Sequence, residues 1–224
     1  MSICEVVKVY EYAPKKFQQI RLRDGIDRSI IKKSLSAKKN RDQVFKAGES
    51  QGKSGSFFFF SHDRQFIIKT MYKDELEIFL RALPDYYRHL RDNPDSLIAR
   101  IYGVYTVEMQ DIEKVSLLLM ANTIRCENPE NIQNIFDLKG SMINRVVKIT
   151  KQTKSTSTLK DINLLEIKKQ YKNKEIDFMR FKTEDLHKIK EQMKKDIDLL
   201  CKFKLMDYSL LFVVERYSPE MILT

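Results

Sequence analysis

The stretch that decides the fold reads Gly52-Lys53-Ser54-Gly55-Ser56, four phenylalanines from Phe57 to Phe60, a polar turn from Ser61 to Gln65, and Phe66-Ile67-Ile68-Lys69-Thr70. Aromatic and β-branched runs split by a short polar turn predict two antiparallel strands. The glycines open the first strand and the lysine closes the second. Glycine lets backbone N–H groups approach an oxygen-rich ligand without a Cβ in the way. A lysine among apolar strand neighbours is costly unless an anion neutralises it. Together they describe a lid over a nucleotide triphosphate and a cation for its phosphates. Two ordinary readings compete with that one. A Walker A loop is excluded, because Gly48 to Ser54 has one residue too few between its glycines and runs into a strand rather than a helix. A structural hairpin with a lysine snorkelling at its end is the other.

Working outward, the chain has 224 residues, 42% hydrophobic and 32% charged, the composition of a soluble globular domain or two small lobes. The longest apolar run, Val115 to Met120, has a core strand's length and not that of a membrane span. Glu5 and Lys8 interrupt the apolar start, which does not read as a signal peptide. Cys4, Cys126 and Cys201 are far apart and have no metal spacing, which suits a reducing compartment. His62, His89 and His187 are isolated and read as surface or satisfied side chains. The net charge of +10, clustered at 32–41, 148–154 and 168–174, calls for an acidic partner. Nucleic acid is disfavoured, since no finger, RNP motif or helix-turn-helix pair is legible.

After the hairpin, Leu76, Phe79, Leu80, Leu83, Tyr86, Tyr87 and Leu90 recur at helical spacing, with Pro84 expected to kink or break the helix. Ile98 to Val107 and Val115 to Met120 predict strands, with Asp111 and Glu113 in the turn between them. Asn134 to Ile149 predicts a strand pair around Lys139-Gly140-Ser141, followed by a mobile loop over 150–158. Thr183 opens a second amphipathic helix, whose Leu186, Ile189, Met193, Ile197 and Leu200 predict a buried stripe.

Phosphoryl transfer requires a phosphate lid, a lysine, an acid to hold it, a group to orient the attacking hydroxyl, and metal carboxylates. Glu75, six residues after Lys69 in the first turn of the helix, is placed to hold that lysine, with Asp74 and Glu77 as nearby alternatives. Asp207 sits at a helix-to-strand junction beside Tyr208, which suits accepting a hydroxyl proton or holding a metal. Lys139 and Arg145 are candidates to face one substrate phosphate, a group that arginine recognises bidentately. The ordinary alternative is a hairpin turn at Gly140 with solvated flanking charges.

In this order the motifs resemble the phosphatidylinositol phosphate kinases, nearest the phosphatidylinositol 4-phosphate 5-kinase type. The residues that carry the resemblance are 52–56 with 66–70, then Asp137-Leu138-Lys139-Gly140-Ser141, then Met206-Asp207-Tyr208-Ser209-Leu210-Leu211. Lesser matches are Leu83-Pro84-Asp85-Tyr86-Tyr87, Gly103-Val104-Tyr105 and Leu159-Lys160-Asp161. The resemblance implies a two-lobed α+β kinase fold with antiparallel sheets, distantly like protein kinases. It divides the chain into an N-terminal lobe over 1–121 and a partial C-terminal lobe over 122–224.

It further implies that Gly52, Lys53, Ser54, Gly55 and Ser56 cover the ATP phosphates, that Lys69 binds them, and that Glu75 holds Lys69. Asn122 matches a connector asparagine near the adenine, Asp207 the catalytic aspartate and a Mg2+ ligand, and Lys139 and Arg145 positions associated with substrate phosphates. The implied partners are a phosphoinositide substrate and an anionic membrane, bound peripherally at its cytoplasmic face. A second copy of the chain, as a homodimer, is a further candidate partner. The family pattern continues into an Ile-Ile-Asp motif whose aspartate binds magnesium, whereas Asp207 is the last aspartate of this sequence, and Glu215 stands where the family has a histidine. The competing function is therefore an inactive or truncated kinase-like module that binds phosphoinositide membranes or nucleotide.

Overall fold

The computed structural model describes residues 7–41, 57–124, 129–154, 156–173 and 182–216. The chain divides into two compact units, Met1–Asn122 with Gln192–Leu199, and Thr123–Glu191 with Leu200–Thr224.

The first unit is built on a five-stranded antiparallel sheet of β1 (Lys8–Glu11), β2 (Phe58–Phe60), β3 (Phe66–Met71), β4 (Ile101–Met109) and β5 (Ile112–Ala121). Its strand order is β1-β4-β5-β3-β2. The hairpin expected from the phenylalanine run is β2–β3, with Phe58 opposite Lys69 and Phe60 opposite Ile67. The β4–β5 hairpin turns at Asp111, which takes a positive φ of 60°. Glu113, expected in that turn, belongs to β5. Pro14 opens α1 (Pro14–Arg23), where its missing N–H has no intrahelical partner to lose. Asp27 caps α2 (Arg28–Ser34) by accepting the Ile30 N–H at 2.8 Å.

The helix after the hairpin, α3 (Lys73–Asp92), runs unbroken through Pro84, so the predicted break does not occur. Its buried residues Leu76, Leu83, Tyr86 and Leu90 pack with Phe17, Phe66, Tyr102 and Val104 in one core, and this burial outweighs the single backbone bond that Pro84 cannot make. The Tyr86 hydroxyl accepts the Ile101 N–H and donates to the Ala99 carbonyl, so its polar end is satisfied within that core.

The second amphipathic helix, α5 (Thr183–Lys202), departs from expectation. Leu186 and Ile197 are exposed by more than a third, and the buried residue of the helix is Asp196. The Asp196 carboxylate accepts from Ser96 Oγ at 2.7 Å, Leu97 N at 2.7 Å and Gln192 Nε2 at 2.9 Å, and meets His89 Nε2 at 2.6 Å. A buried carboxylate with four donors fixes residues 192–199 in place of the apolar stripe.

The second unit is organised by a three-stranded sheet of β6 (Ile132–Leu138), β7 (Thr158–Leu159) and β8 (Leu210–Glu215), in the order β7-β6-β8. The strand pair predicted within 134–149 is absent. Instead β6 pairs antiparallel with β8 and parallel with β7, and the described residues of 139–157 form irregular backbone. Phe136 stacks on Phe212 across the sheet, a pairing that local sequence could not announce. The helix α4 (Asp161–Asn173) follows β7 and carries the basic cluster that starts at Lys168. Among the described residues, no helix is long and apolar enough to cross a membrane.

Candidate active site

Two constellations of the predicted residues form, one in each unit. In the first unit Lys69 extends from β3 with its side chain about a quarter exposed, and its Nζ lies 3.2 Å from Glu75 Oε1. Of the three acids near the start of α3, Glu75 is the one that meets the lysine. Its position explains the choice. Glu75 is the third helical residue, and its other oxygen accepts the Tyr72 N–H at 2.9 Å, the reach-back bond of a helix start. One carboxylate thus caps the helix through one oxygen and holds the lysine through the other. The Phe58 ring, opposite Lys69 in the hairpin register, lies 5.9 Å from its ammonium and adds a weak cation–π contact.

The hairpin is closed at its open end by Thr70, whose N–H donates to the Phe57 carbonyl and whose hydroxyl accepts the Phe57 N–H at 2.9 Å. The glycine-rich residues Gly52, Lys53, Ser54, Gly55 and Ser56 lie outside the described residues. Asn122 is buried at the end of β5. Its N–H donates to the Gln65 carbonyl at 2.9 Å and its Nδ2 to the Arg64 carbonyl at 2.7 Å, so it ties the connector to the hairpin turn.

In the second unit the β6–β8 register does the positioning. Leu138 stands opposite Leu210, so the chain just past β6 and the chain just before β8 emerge side by side. Lys139 Nζ consequently donates to Asp207 Oδ1. Asp207 holds a positive φ of 63°, and its side chain is largely exposed. Aspartate tolerates the left-handed region better than most residues, and backbone held there concentrates at functional positions. Gly140, at φ 69°, makes the turn after Lys139.

Arg145 does not face solvent. It is 8% exposed, its Nε lies 2.7 Å from Asp161 Oδ2, and its Nη2 reaches both the carboxylate and the carbonyl of Asp137. A substrate phosphate would have to compete with two carboxylates for it, so the guanidinium is spent on the fold. The anchor of this arrangement is Asp161, to which sequence reasoning assigned no role. Its Oδ1 accepts the N–H groups of Lys139 at 3.0 Å and Gly140 at 2.8 Å. Burial pushes its carboxyl up, but the Arg145 bond and the backbone N–H donors override this and hold it at about 2. Asp137 is also held below its ordinary value, with burial opposed by the Ser209 hydroxyl, Arg145 and Lys139. The only sign of Asp161 in the sequence is the short family match at 159–161.

Residues 39–221 match the family model described as phosphatidylinositol-4-phosphate 5-kinase. The chain belongs to the phosphatidylinositol-4-phosphate 5-kinase family. It is 34% identical to a probable phosphatidylinositol phosphate kinase of Dictyostelium discoideum, over 95% of this chain and 28% of that protein. It is 34% identical to the phosphatidylinositol 4-phosphate 5-kinase its3 of Schizosaccharomyces pombe, over 94% of this chain and 27% of its relative. Phosphatidylinositol 4-phosphate 5-kinase 1 of Arabidopsis thaliana is 35% identical over 90% of this chain and 25% of its own length. The chain thus spans between a quarter and a third of the length of these family members. Its mixed α and β architecture, with an antiparallel five-stranded sheet and a three-stranded sheet that holds one parallel pair, is consistent with a domain of this family.

Proposed function

We propose that this chain transfers the γ-phosphoryl group of ATP to the 5-hydroxyl of phosphatidylinositol 4-phosphate, giving phosphatidylinositol 4,5-bisphosphate and ADP. The observation that carries the proposal is the Lys69–Glu75 pair, at 3.2 Å, behind a hairpin that continues the glycine-rich segment. A partly exposed ion pair stabilises a fold little, typically by less than about 1 kcal/mol. A lysine held in one direction by an acid is what phosphate positioning requires.

In this reading Lys69 binds the ATP phosphates, Glu75 orients Lys69, and Gly52 to Ser56 cover the phosphates. Asn122 supports the connector through its bonds to the hairpin turn. Asp207 orients the inositol hydroxyl and accepts its proton as the new oxygen–phosphorus bond forms and the bond to the ADP oxygen breaks. Lys139 turns from Asp207 to the phosphate already on the inositol. Arg145 acts behind it, holding the 137–145 segment.

The donors present suit a magnesium ion carried mainly by the nucleotide. No cluster of three or more His, Cys, Asp or Glu able to hold a metal occurs among the described residues, and Asp207 offers a single exposed carboxylate. Magnesium is commonly held by one or two carboxylates with substrate phosphates and water. Bound there, it would supply charge stabilisation to the transferring phosphoryl group. The two-lobed kinase architecture, peripheral binding at the cytoplasmic face of an anionic membrane, and a homodimer belong to the same reading. The net charge of +10 supports its membrane part.

The substrate class is tested with labelled ATP, magnesium and vesicles carrying phosphatidylinositol 4-phosphate, 5-phosphate or 3-phosphate. Preferred labelling of the 4-phosphate lipid, at the 5-position, is expected. Preference for either other lipid would overturn the assignment.

A further inference from the structure

The segment between Lys139 and Lys160 contains no acid and carries Lys139, Arg145, Lys148, Lys151, Lys154 and Lys160. Within it Met142 is 58% exposed, Ile143 80%, Val146 51% and Ile149 52%. Scattered exposed apolar residues are ordinary. Four in eight residues, held outward by a buried polar clamp, are not.

The clamp is specific. Arg145, in the middle of the segment, is buried against Asp137 and Asp161. Asn163, 1% exposed, accepts the Val147 N–H and donates to the Val147 carbonyl, both at 2.9 Å. The Ile162 N–H donates to the Arg145 carbonyl at 3.0 Å, and Lys160 Nζ to the Asn144 carbonyl at 3.3 Å. With its backbone tied down in this way, the segment cannot fold Met142 and Ile143 back onto the core. They stand at a turn completed by Asn144 at a φ of 57°.

We infer that residues 141–149 are a wedge that inserts into the interfacial layer of an anionic bilayer, with Met142 and Ile143 at its tip and Lys148, Lys151 and Lys154 on the headgroups. The inference rests on the proposed lipid substrate for its purpose and names the part of this chain that meets the bilayer. Exposed apolar side chains on a segment that carries lysines and no acids match the bilayer boundary, where acyl chains begin below negative headgroups. A protein groove would satisfy the apolar tip but gives no reason for a segment with lysines and no acids. The wedge begins just after Lys139, whose ammonium meets Asp207. Met206, beside Asp207, is 89% exposed. Insertion would bring an inositol headgroup to that pair while its acyl chains stay in the membrane.

The chain has no tryptophan, so Ile143→Trp installs a unique reporter at an exposed position where a fold change is not expected. Leu22→Trp, on α1 and 61% exposed, gives a control outside the segment. Both variants are mixed with phosphatidylcholine vesicles with and without phosphatidylserine, with chains brominated near the headgroup. The expected result is a blue shift and quenching for Ile143→Trp on anionic vesicles and none for Leu22→Trp. The Met142→Ser, Ile143→Ser double variant should bind those vesicles roughly tenfold or more weakly.

Vesicle binding without quenching at position 143 would overturn the wedge and leave the kinase reading intact. Self-association that disappears on Ile143→Ser, with no quenching by lipid, would overturn it in favour of a second copy. Failure of phosphate transfer, measured separately, would overturn the kinase reading without touching the quenching result.

Discussion

Replacing Lys69 with methionine is expected to reduce ATP-dependent phosphate transfer by about a thousandfold or more, roughly 4 kcal/mol of transition-state stabilisation. Methionine keeps most of the length of the side chain and removes its charge, so phosphates at the hairpin lose their fixed cation. Stability should change little. The Lys69–Glu75 pair is partly exposed, and Glu75 keeps its bond to the Tyr72 N–H, so the start of α3 survives. Vesicle binding should be unaffected, because Lys69 lies outside the basic 139–160 segment. Transfer and vesicle co-sedimentation measured on one preparation separate these effects. A variant with unchanged transfer would remove Lys69 from the mechanism.

Replacing Asp161 with alanine is expected to destabilise the second unit by about 3–5 kcal/mol. It strands the buried Arg145 guanidinium with Asp137 alone and leaves the Lys139 and Gly140 N–H groups without their acceptor. Against a total stability of about 5–15 kcal/mol, such a loss is severe. The pH dependence has a definite sign. The folded Asp161 carboxyl lies at about 2, below its ordinary value of 3.8. The ionised form is therefore favoured by folding, and its contribution is fully present above about 4. As pH falls through about 2 the carboxyl protonates and the contribution disappears. Asp137, also depressed, acts in the same direction. Urea unfolding of the parent chain should show stability falling between about pH 4 and 2, with a shallower fall in Asp161→Asn. An Asp161→Ala loss of under about 1 kcal/mol would contradict the clamp.

The legible parts of the fold are those written in local pattern. Alternation and aromatic content announce β2–β3 and β4–β5, and the helical period announces α3 and α5. The burial of α5 is not legible, because period shows that a face is amphipathic, not what covers it. Its decisive residue is Asp196, whose partners Ser96 and Leu97 lie about a hundred residues away in the chain. The strand pair expected over 134–149 fails for a related reason. Val146, Val147 and Ile149 look like a strand, but β6 finds its partner β8 some seventy residues on, and Arg145 is pulled into a carboxylate clamp instead. Among the site residues, Lys69 and Glu75 are legible from spacing because a strand end and the next helix start are close in the chain. The meeting of Lys139 with Asp207 depends on β6–β8 register, which no local pattern encodes. Arg145 reads as a phosphate ligand in sequence because its burial is a property of the assembled loop.

The most direct measurement compares phosphate transfer from labelled ATP to phosphatidylinositol 4-phosphate vesicles by the parent chain and by Asp207→Asn. The amide keeps the size of the side chain, but it cannot accept the hydroxyl proton or carry the negative charge that Lys139 meets. Transfer by the parent chain is expected, with its loss, by about a thousandfold or more, in the variant. Equal transfer by both, or none by a folded parent chain, would contradict that expectation.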